Sequence, residues 1–157
     1  MSDQAVWDRV LTVHARVERE LATALQRRHG IGLSEYRALE NLAASPDNEL
    51  RMQELADRIG LNQSSVTRLV DRLKGAGYAF KDLCPSDRRG VYAVITAEGR
   101  SRYEDARGTY ADVLSGTLDT LGAEPELAGT VAALRAGHGD RADDRADDRA
   151  GEGAGAR

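Results

Sequence analysis

Aromatic residues are scarce in this chain: five tyrosines, one tryptophan and one phenylalanine make up 4% of its 157 residues. Proteins that bind single-stranded nucleic acids stack the bases on aromatic side chains, so this composition argues against that class. Hydrophobic residues as a whole still amount to 41%, which is enough to build a folded core. The chain is long enough for one domain with a core and a tail.

Disulfides and long apolar runs are also lacking. Cys84 is the single cysteine, so the chain forms no internal disulfide, which fits a reducing cytoplasm. No apolar run approaches the roughly 20 residues of a membrane span, and the N-terminus lacks the apolar core of a signal peptide. We therefore expect a cytoplasmic protein.

The sequence signatures of catalysis are missing as well. There is no phosphate-binding loop and no glycine-rich dinucleotide turn, and the three histidines have no nucleophile at a recognisable spacing. The histidines and Cys84 also lack the close spacing of metal ligands. We predict that the protein is not an enzyme and that it holds no metal and no cofactor.

The net charge of −4 is unfavourable for binding a polyanion, but the charge is unevenly distributed. Residues 139–157 contain six acids and four arginines, a net of −2. Residues 50–96 contain eight basic and five acidic residues, a net of +3. Because a binding partner senses the local charge, the middle of the chain is the part suited to nucleic acid.

That middle part contains an amphipathic helix in residues 60–76. Four apolar residues recur at helical spacing and form one stripe: Val66, Leu69, Val70 and Leu73. Asn62 is a suitable N-cap, and Gly75 lies where helices usually end. At 100° per residue, Ser64, Arg68 and Asp71 lie farthest from the stripe, with Thr67 and Arg72 at its edges. Hydroxyls and guanidinium groups of this kind contact base edges and phosphates in a major groove.

The neighbouring segments predict a winged helix-turn-helix. A short helix carrying Met52, Leu55 and Ile59 ends at Gly60, and a tight turn joins it to the amphipathic helix. Residues 78–83 and 91–95 are two β-prone runs, which predict a hairpin, and Leu50 is a candidate for a further short strand. The connection between the two runs is polar and turn-forming and carries two adjacent arginines.

Long helices flank this unit. Residues 6–28 form one helical pattern, and Thr96 caps another that runs to about Leu121 and is followed by a short helix. The first helix has no sequence neighbour to cover its apolar stripe, so it packs on the C-terminal helices or on a second chain. We also expect Ser34 to cap the second helix, and residues 138–157, an Arg/Asp-rich repeat, to be disordered. A solvated helical extension and an acidic competitor for the DNA surface are alternatives for this tail.

The chain resembles the MarR family of bacterial transcription regulators. The motifs that carry the resemblance are Leu55-Ala56-Asp57-Arg58-Ile59-Gly60, Ser65-Val66-Thr67-Arg68-Leu69-Val70-Asp71-Arg72-Leu73, Ser86-Asp87-Arg88-Arg89 and Ile95-Thr96-Ala97-Glu98-Gly99-Arg100. The resemblance covers residues 6–136. It implies a mostly α fold with a small β-hairpin wing, in which N- and C-terminal helices form an all-helical dimerisation lobe. The first wing strand departs from the family pattern, because Asp82 and Leu83 weaken the positive charge there.

These expectations divide the chain at definite boundaries. Residues 1–30 are the N-terminal dimerisation helix, 31–96 the winged helix-turn-helix, 97–137 the C-terminal dimerisation helices and 138–157 the tail. The function that follows is a homodimeric, sequence-specific regulator that binds a pseudo-palindromic duplex as an effector-responsive repressor. Two alternatives stay open: a protein-interaction module that kept the fold without DNA binding, and a redox-responsive regulator acting through Cys84.

The predicted DNA-binding residues lie on the amphipathic helix and at the wing tip. They are Gln63, Ser64, Ser65, Thr67, Arg68, Arg72, Arg88 and Arg89. One wing arginine is expected to enter a minor groove while Asp87 braces the other, and the sequence leaves open which does which. Asp71, farther along the helix, is expected to pair with an arginine.

A small-molecule site is implied by the resemblance alone. Family members often bind small aromatic or phenolic anions between the dimer lobe and the winged domain, and Trp7, His14 and Tyr36 are the candidates to line such a pocket here. The plainer alternative, which we favour, is that Trp7 packs in the dimer and that His14 is partly buried and hydrogen-bonded.

Overall fold

The computed structural model describes residues 1–83 and 90–137. Its elements in chain order are α1 (Asp3–His29), α2 (Leu33–Ala44), β1 (Glu49–Arg51), α3 (Met52–Ile59), α4 (Gln63–Gly75), β2 (Ala79–Leu83), β3 (Val91–Ile95), α5 (Ala97–Gly122) and α6 (Ala128–Ala136). The predicted fold class, mostly helical with a small β-sheet wing, is confirmed. Among the described residues, no helix combines the length and apolarity needed to cross a membrane.

The two long helices extend beyond the predicted limits by a few residues. α1 begins three residues earlier than expected and ends at His29, where Gly30 adopts a φ of 65°. That left-handed conformation is readily accessible to glycine, which is why the helix ends there. The tail, residues 138–157, lies outside the described residues, and so does its predicted disorder.

The prediction that Ser34 caps α2 is wrong. The N-cap is Gly32, two residues before Ser34, and the helix begins at Leu33. The Glu35 side chain accepts a hydrogen bond from the backbone N–H of Gly32 at 3.1 Å. Because this carboxylate satisfies the first free backbone donor, the helix needs no hydroxyl cap.

The sheet has three antiparallel strands in the order β1-β3-β2. The predicted hairpin is β2 and β3, with Ala79 opposite Ile95 and Leu83 opposite Val91. β1 adds to the other side of β3 and places Leu50 opposite Ala93, which confirms the short strand anticipated at Leu50. The sheet therefore ties the segment before α3 to the strand that leaves the wing.

The described chain divides into two compact units. Residues 18–114 form one unit, and its main core packs α2, α3 and α4 against the sheet. Its largest fully buried side chains include Leu39, Leu42, Leu55, Leu69 and Leu73. A second cluster in the same unit joins the C-terminal part of α1 to α2 and α5 through Leu25, Ile31, Tyr36 and Ala106. This unit contains the whole predicted winged helix-turn-helix.

Residues 1–17 and the chain from Ser115 onward form the other unit. Its core consists of Val13, Leu121, Leu127 and Val131, with Val17 and Leu118 packed against it. Arg16 and Glu124 form an ion pair at 2.5 Å. Four large apolar side chains of this unit's helices remain exposed: Val6, Trp7, Leu11 and Leu134.

The start of α5 depends on a close backbone approach at Gly99. The N–H of Gly99 donates to the Thr96 hydroxyl at 3.0 Å, which confirms Thr96 as the cap, and the Thr96 hydroxyl donates to the Gly77 carbonyl at 2.7 Å. A Cβ on Gly99 would lie 2.1 Å from the carbonyl oxygen of Tyr78. Since that oxygen is backbone, it cannot move aside as a flexible side chain can. Only glycine fits at this point.

We therefore expect Gly99→Ala to lower the free energy of unfolding by about 1–3 kcal/mol, as overpacking against fixed atoms does. Urea denaturation measures the change. Gly108→Ala is the matched control on the same helix, because a Cβ there meets nothing within 4 Å. It should raise stability by about 0.5–1 kcal/mol through helix propensity. Equal shifts of the two variants in the same direction would contradict the close approach at Gly99.

Candidate nucleic-acid interface

The first turn of α4 is fixed by its cap. The Asn62 side-chain oxygen accepts from the backbone N–H of Ser65 at 2.9 Å, and the Ser64 hydroxyl donates to the same oxygen at 2.9 Å. Asn62 is extended, at φ −77° and ψ 168°, as an N-cap residue should be. The cap that the sequence predicted is confirmed, and it holds Ser64 and Ser65 in a defined position.

The burial pattern of α4 matches the predicted stripe. Val66, Leu69, Val70 and Leu73 are 1% exposed or less. On the other side, Gln63, Ser64, Arg68, Asp71 and Arg72 are exposed, while Ser65 and Thr67 are half-buried. The helix is thus anchored along one side, and polar and charged groups line the side that faces solvent.

The hydroxyls of Ser64 and Thr67 keep accepting lone pairs that face solvent, because each hydroxyl hydrogen is already donated within the protein. Thr67 donates its hydroxyl hydrogen to the Gln63 carbonyl at 2.8 Å, and Ser64 donates to Asn62. Their remaining lone pairs can accept from the amino groups of adenine or cytosine in a major groove. Gln63 adds an amide with both donors and an acceptor.

The two predicted DNA-binding arginines of α4 differ in their surroundings. Within the described part of the chain, the Arg68 guanidinium has no hydrogen-bond or ion-pair partner. Arg72 lies with its Nε 3.4 Å from Glu35 Oε1 of α2, although its side chain remains 57% exposed. Arg68 is therefore ready for a new partner, whereas Arg72 already has a carboxylate beside it.

The prediction that Asp71 pairs with an arginine is wrong. Its partner is a lysine of the sheet. Lys81 Nζ lies 2.5 Å from Asp71 Oδ1. The reason is tertiary: β2 packs against α4 and brings Lys81 to the exposed side of the helix. This pair also neutralises the one basic residue of β2, which adds to the weakening of positive charge expected from Asp82 and Leu83.

A cleft of about 270 Å³ lies beside the first turn of α4. It is lined by Arg51, Met52, Gln53, Gln63, Thr67, Lys81, Gly90 and Val91. Arg51 and Lys81 are the basic side chains among these residues: Lys81 pairs with Asp71, and Arg51 Nε donates to the Tyr92 hydroxyl at 3.0 Å. Sequence reasoning missed Arg51 and Lys81; the available signal was that Arg51 follows the strand candidate Leu50 and thus lies next to the wing.

The wing tip is outside the described residues. Arg88, Arg89, the predicted bracing residue Asp87 and Cys84 all fall in the segment 84–89. The roles predicted for these four residues therefore stay predictions.

The three residues predicted for an effector pocket fall in different compact units. Trp7 and His14 belong to the unit of residues 1–17, where Trp7 is 59% exposed and His14 is exposed rather than partly buried. Tyr36 belongs to the other unit and is 2% exposed. Its ring stacks on Tyr110, with centroids 4.6 Å apart, and its hydroxyl donates to Glu40 at 3.4 Å. Burial raises the pKa of Tyr36, so its phenol stays neutral.

The order of these elements defines the class of protein. The short helix α3, a turn and the anchored helix α4 are followed by the antiparallel hairpin of β2 and β3. β1, which directly precedes α3, adds a third strand to that hairpin. This is a winged helix-turn-helix.

Comparison with known proteins gives the family. The model of the MarR family matches residues 29–90. The regulator MhqR of Bacillus subtilis is 30% identical over 97 residues, which are 62% of this chain and 66% of MhqR. The chain thus aligns with slightly less than two thirds of this curated relative.

Two solved structures from Streptomyces coelicolor are similar over more of the chain. Sco3205, a MarR family transcriptional regulator solved in complex with DNA, is 29% identical, with a TM-score of 0.71, and the match covers 85% of this chain and 82% of Sco3205. AbsC, of the same family, is 26% identical, also with a TM-score of 0.71, over 85% of this chain and 91% of AbsC. These matches confirm the resemblance to the MarR family of transcription regulators that the sequence motifs had indicated. The matching relatives are described as transcription regulators, which agrees with the prediction that the protein is not an enzyme.

The cap at Asn62 provides a direct test of how the interface is built. Asn62→Ala removes the acceptor for the Ser65 N–H and should lower the free energy of unfolding by about 1 kcal/mol. Asn62→Asp keeps the acceptor and places a negative charge at the helix N-terminus, so it should retain stability. Thermal denaturation compares the two. An equal loss in both variants would show that Asn62 does not act as a cap.

Proposed function

We propose that the chain is a homodimeric regulator that binds duplex DNA sequence-specifically through the exposed side of α4. The observation that carries this proposal is the guanidinium of Arg68, which has no partner among the described residues. It lies with the exposed Gln63 and Ser64 on a helix whose opposite side is fully buried. Sco3205, which is 29% identical to this chain, was solved with DNA, and that supports the proposal.

The chemistry of the exposed side suits a major groove. Gln63 and the hydroxyls of Ser64 and Thr67 offer short polar groups to base edges, and Arg68 can donate two hydrogen bonds to the O6 and N7 of a guanine. The first turn of α4 also presents backbone N–H groups, which favour a phosphate. Arg72 belongs to the backbone contacts, where it would exchange Glu35 for a phosphate, and a wing arginine, Arg88 or Arg89, enters the adjacent minor groove.

The homodimer is supported by the apolar side chains that α1 exposes. Val6, Trp7 and Leu11 are 42%, 59% and 46% exposed, and they lie within five residues of one another on the helix. Large apolar side chains exposed close together favour contact with a partner, and a second copy of the same helix provides one. Two copies of α4 related by a two-fold axis then contact half-sites about one helical turn apart, roughly 10 bp, in a pseudo-palindromic duplex.

Repression and effector response are the finer parts of the proposal. A dimer bound across a promoter blocks polymerase, and a small aromatic or phenolic anion releases it by changing the spacing of the two α4 helices. The stacked Tyr36 and Tyr110 lie next to Arg37, whose Nη2 is 3.5 Å from the Tyr110 hydroxyl. Aromatic faces beside a guanidinium suit an aromatic anion, which here has to displace the Glu18 carboxylate that Arg37 already binds at 2.9 Å. Because Tyr36 is buried, binding there requires these side chains to move apart.

Arg68→Ala tests the DNA-binding proposal. Duplexes selected from random DNA by the native protein should bind the variant roughly 5- to 150-fold more weakly, the range expected when one base-contacting arginine is lost. Fluorescence anisotropy measures both affinities. Arg107→Ala, an exposed arginine of α5, removes the same charge away from α4 and should change binding little. Selection of no specific duplex, or an unchanged affinity of the Arg68 variant, would favour a protein-interaction module.

Replacing Trp7 and Leu11 together by glutamine tests the dimer. The native protein should have twice the 17.0 kDa mass of the chain, and the double variant should dissociate to the monomer mass at micromolar concentration. Light scattering after size exclusion measures the mass. Thr12→Gln, on another side of α1, is the control and should stay dimeric. A native monomer, or a double variant that stays dimeric, would contradict the assignment of this surface to the interface.

A further inference from the structure

One acidic residue lies on the helix that we propose contacts DNA, within the motif that carries the family resemblance. Asp71 is on the exposed side of α4, one turn beyond Arg68, and its side chain is 54% exposed. A carboxylate in this position repels a phosphate backbone at close range. The fold does not require Asp71, since the four buried residues of α4 already anchor the helix.

The carboxylate has a specific partner on a different element. Lys81 of β2 approaches Asp71 to 2.5 Å and is the less exposed of the two, at 29%. β2 pairs with β3, with Lys81 opposite Ala93, and it is the strand that leads to the wing tip. The pair therefore cancels a positive charge and also links α4 to the strand that carries the wing.

The other cations of the same surface show how far this neutralisation extends. Arg72 has Glu35 at 3.4 Å, whereas Arg68 has no partner among the described residues. Two of these three cations, Arg72 and Lys81, are thus held beside carboxylates before any DNA arrives. Arg68, the one placed to contact bases, is left unpaired.

We infer that Asp71 determines specificity by suppressing binding to duplexes of arbitrary sequence. This inference rests on the proposed function and names a property of the same surface. Binding to arbitrary sequence depends on cation–phosphate contacts, so it is weakened by a carboxylate that repels phosphate and occupies Lys81. Binding to the correct sequence depends on base contacts, so it benefits from the link that holds α4 and the wing strand in register.

Asp71→Asn separates these two effects. The variant keeps the shape of the side chain, removes one negative charge and releases Lys81. Affinity for a shuffled duplex of the same length should rise about 5- to 10-fold at low salt, and the slope of log K against log salt should steepen by about 0.9. Affinity for the selected duplex should rise less or fall. The ratio of the two affinities therefore decreases.

Lys81→Gln breaks the same link with the opposite change of charge. It should weaken binding to the shuffled duplex and also lower the affinity ratio. In the double variant the net charge is native again, so binding to the shuffled duplex should return to the native level while the ratio stays low. Asp112→Asn, an exposed acid of α5, controls for net charge alone and should leave the ratio unchanged.

The outcomes distinguish this inference from the proposed function. If no duplex is bound in a manner that depends on Arg68, the proposed function fails. If Arg68-dependent binding is present but Asp71→Asn leaves both affinities unchanged, or raises both by the same factor, the inference about Asp71 is overturned and the proposed function stands. An Asp112→Asn effect equal to that of Asp71→Asn would likewise overturn the inference, because it would reduce the effect to net charge.

Discussion

The burial of a single stripe on α4 is the constraint on which the rest of the structure depends. Val66, Leu69, Val70 and Leu73 are essentially inaccessible and pack in one core with α2, α3 and the sheet. Since a helix has 3.6 residues per turn, fixing these four residues also fixes which residues point away from the core. Rotating the helix to hide its polar side would expose four large apolar side chains, each worth about 1.5–3 kcal/mol when buried.

The solvent-facing side of α4 is then organised by short polar interactions. Asn62 fixes the first turn, Asp71 reaches across to Lys81, and Arg72 lies beside Glu35. Exposed pairs of this kind contribute little to stability, typically below about 1 kcal/mol. Their consequence is electrostatic: they reduce the positive charge available to any phosphate, whereas Arg68 has no partner in the part of the chain that the structure describes. Of the eight basic residues in positions 50–96, at least three lie beside a carboxylate: Arg58, Arg72 and Lys81.

Local periodicity predicted most of the fold because the determining interactions are local. The stripe on α4, the caps at Asn62 and Thr96 and the hairpin are all encoded within a few residues. The Gly32 cap was missed because its acceptor comes from Glu35, three residues along. The partners of Asp71 and Arg72 could not be predicted, since they are 10 and 37 residues away and follow from how β2 and α2 pack on α4. The resemblance to the MarR family, stated from the motifs, is confirmed by comparison.

The central claim is that two copies of the exposed side of α4 contact one face of a duplex. Hydroxyl-radical footprinting of the native protein on a duplex selected from random DNA tests it most directly. Two protected patches on the same face of the helix, centred about one turn or roughly 10 bp apart, are the predicted result. A single patch, or even protection along the whole duplex, would contradict paired recognition by α4.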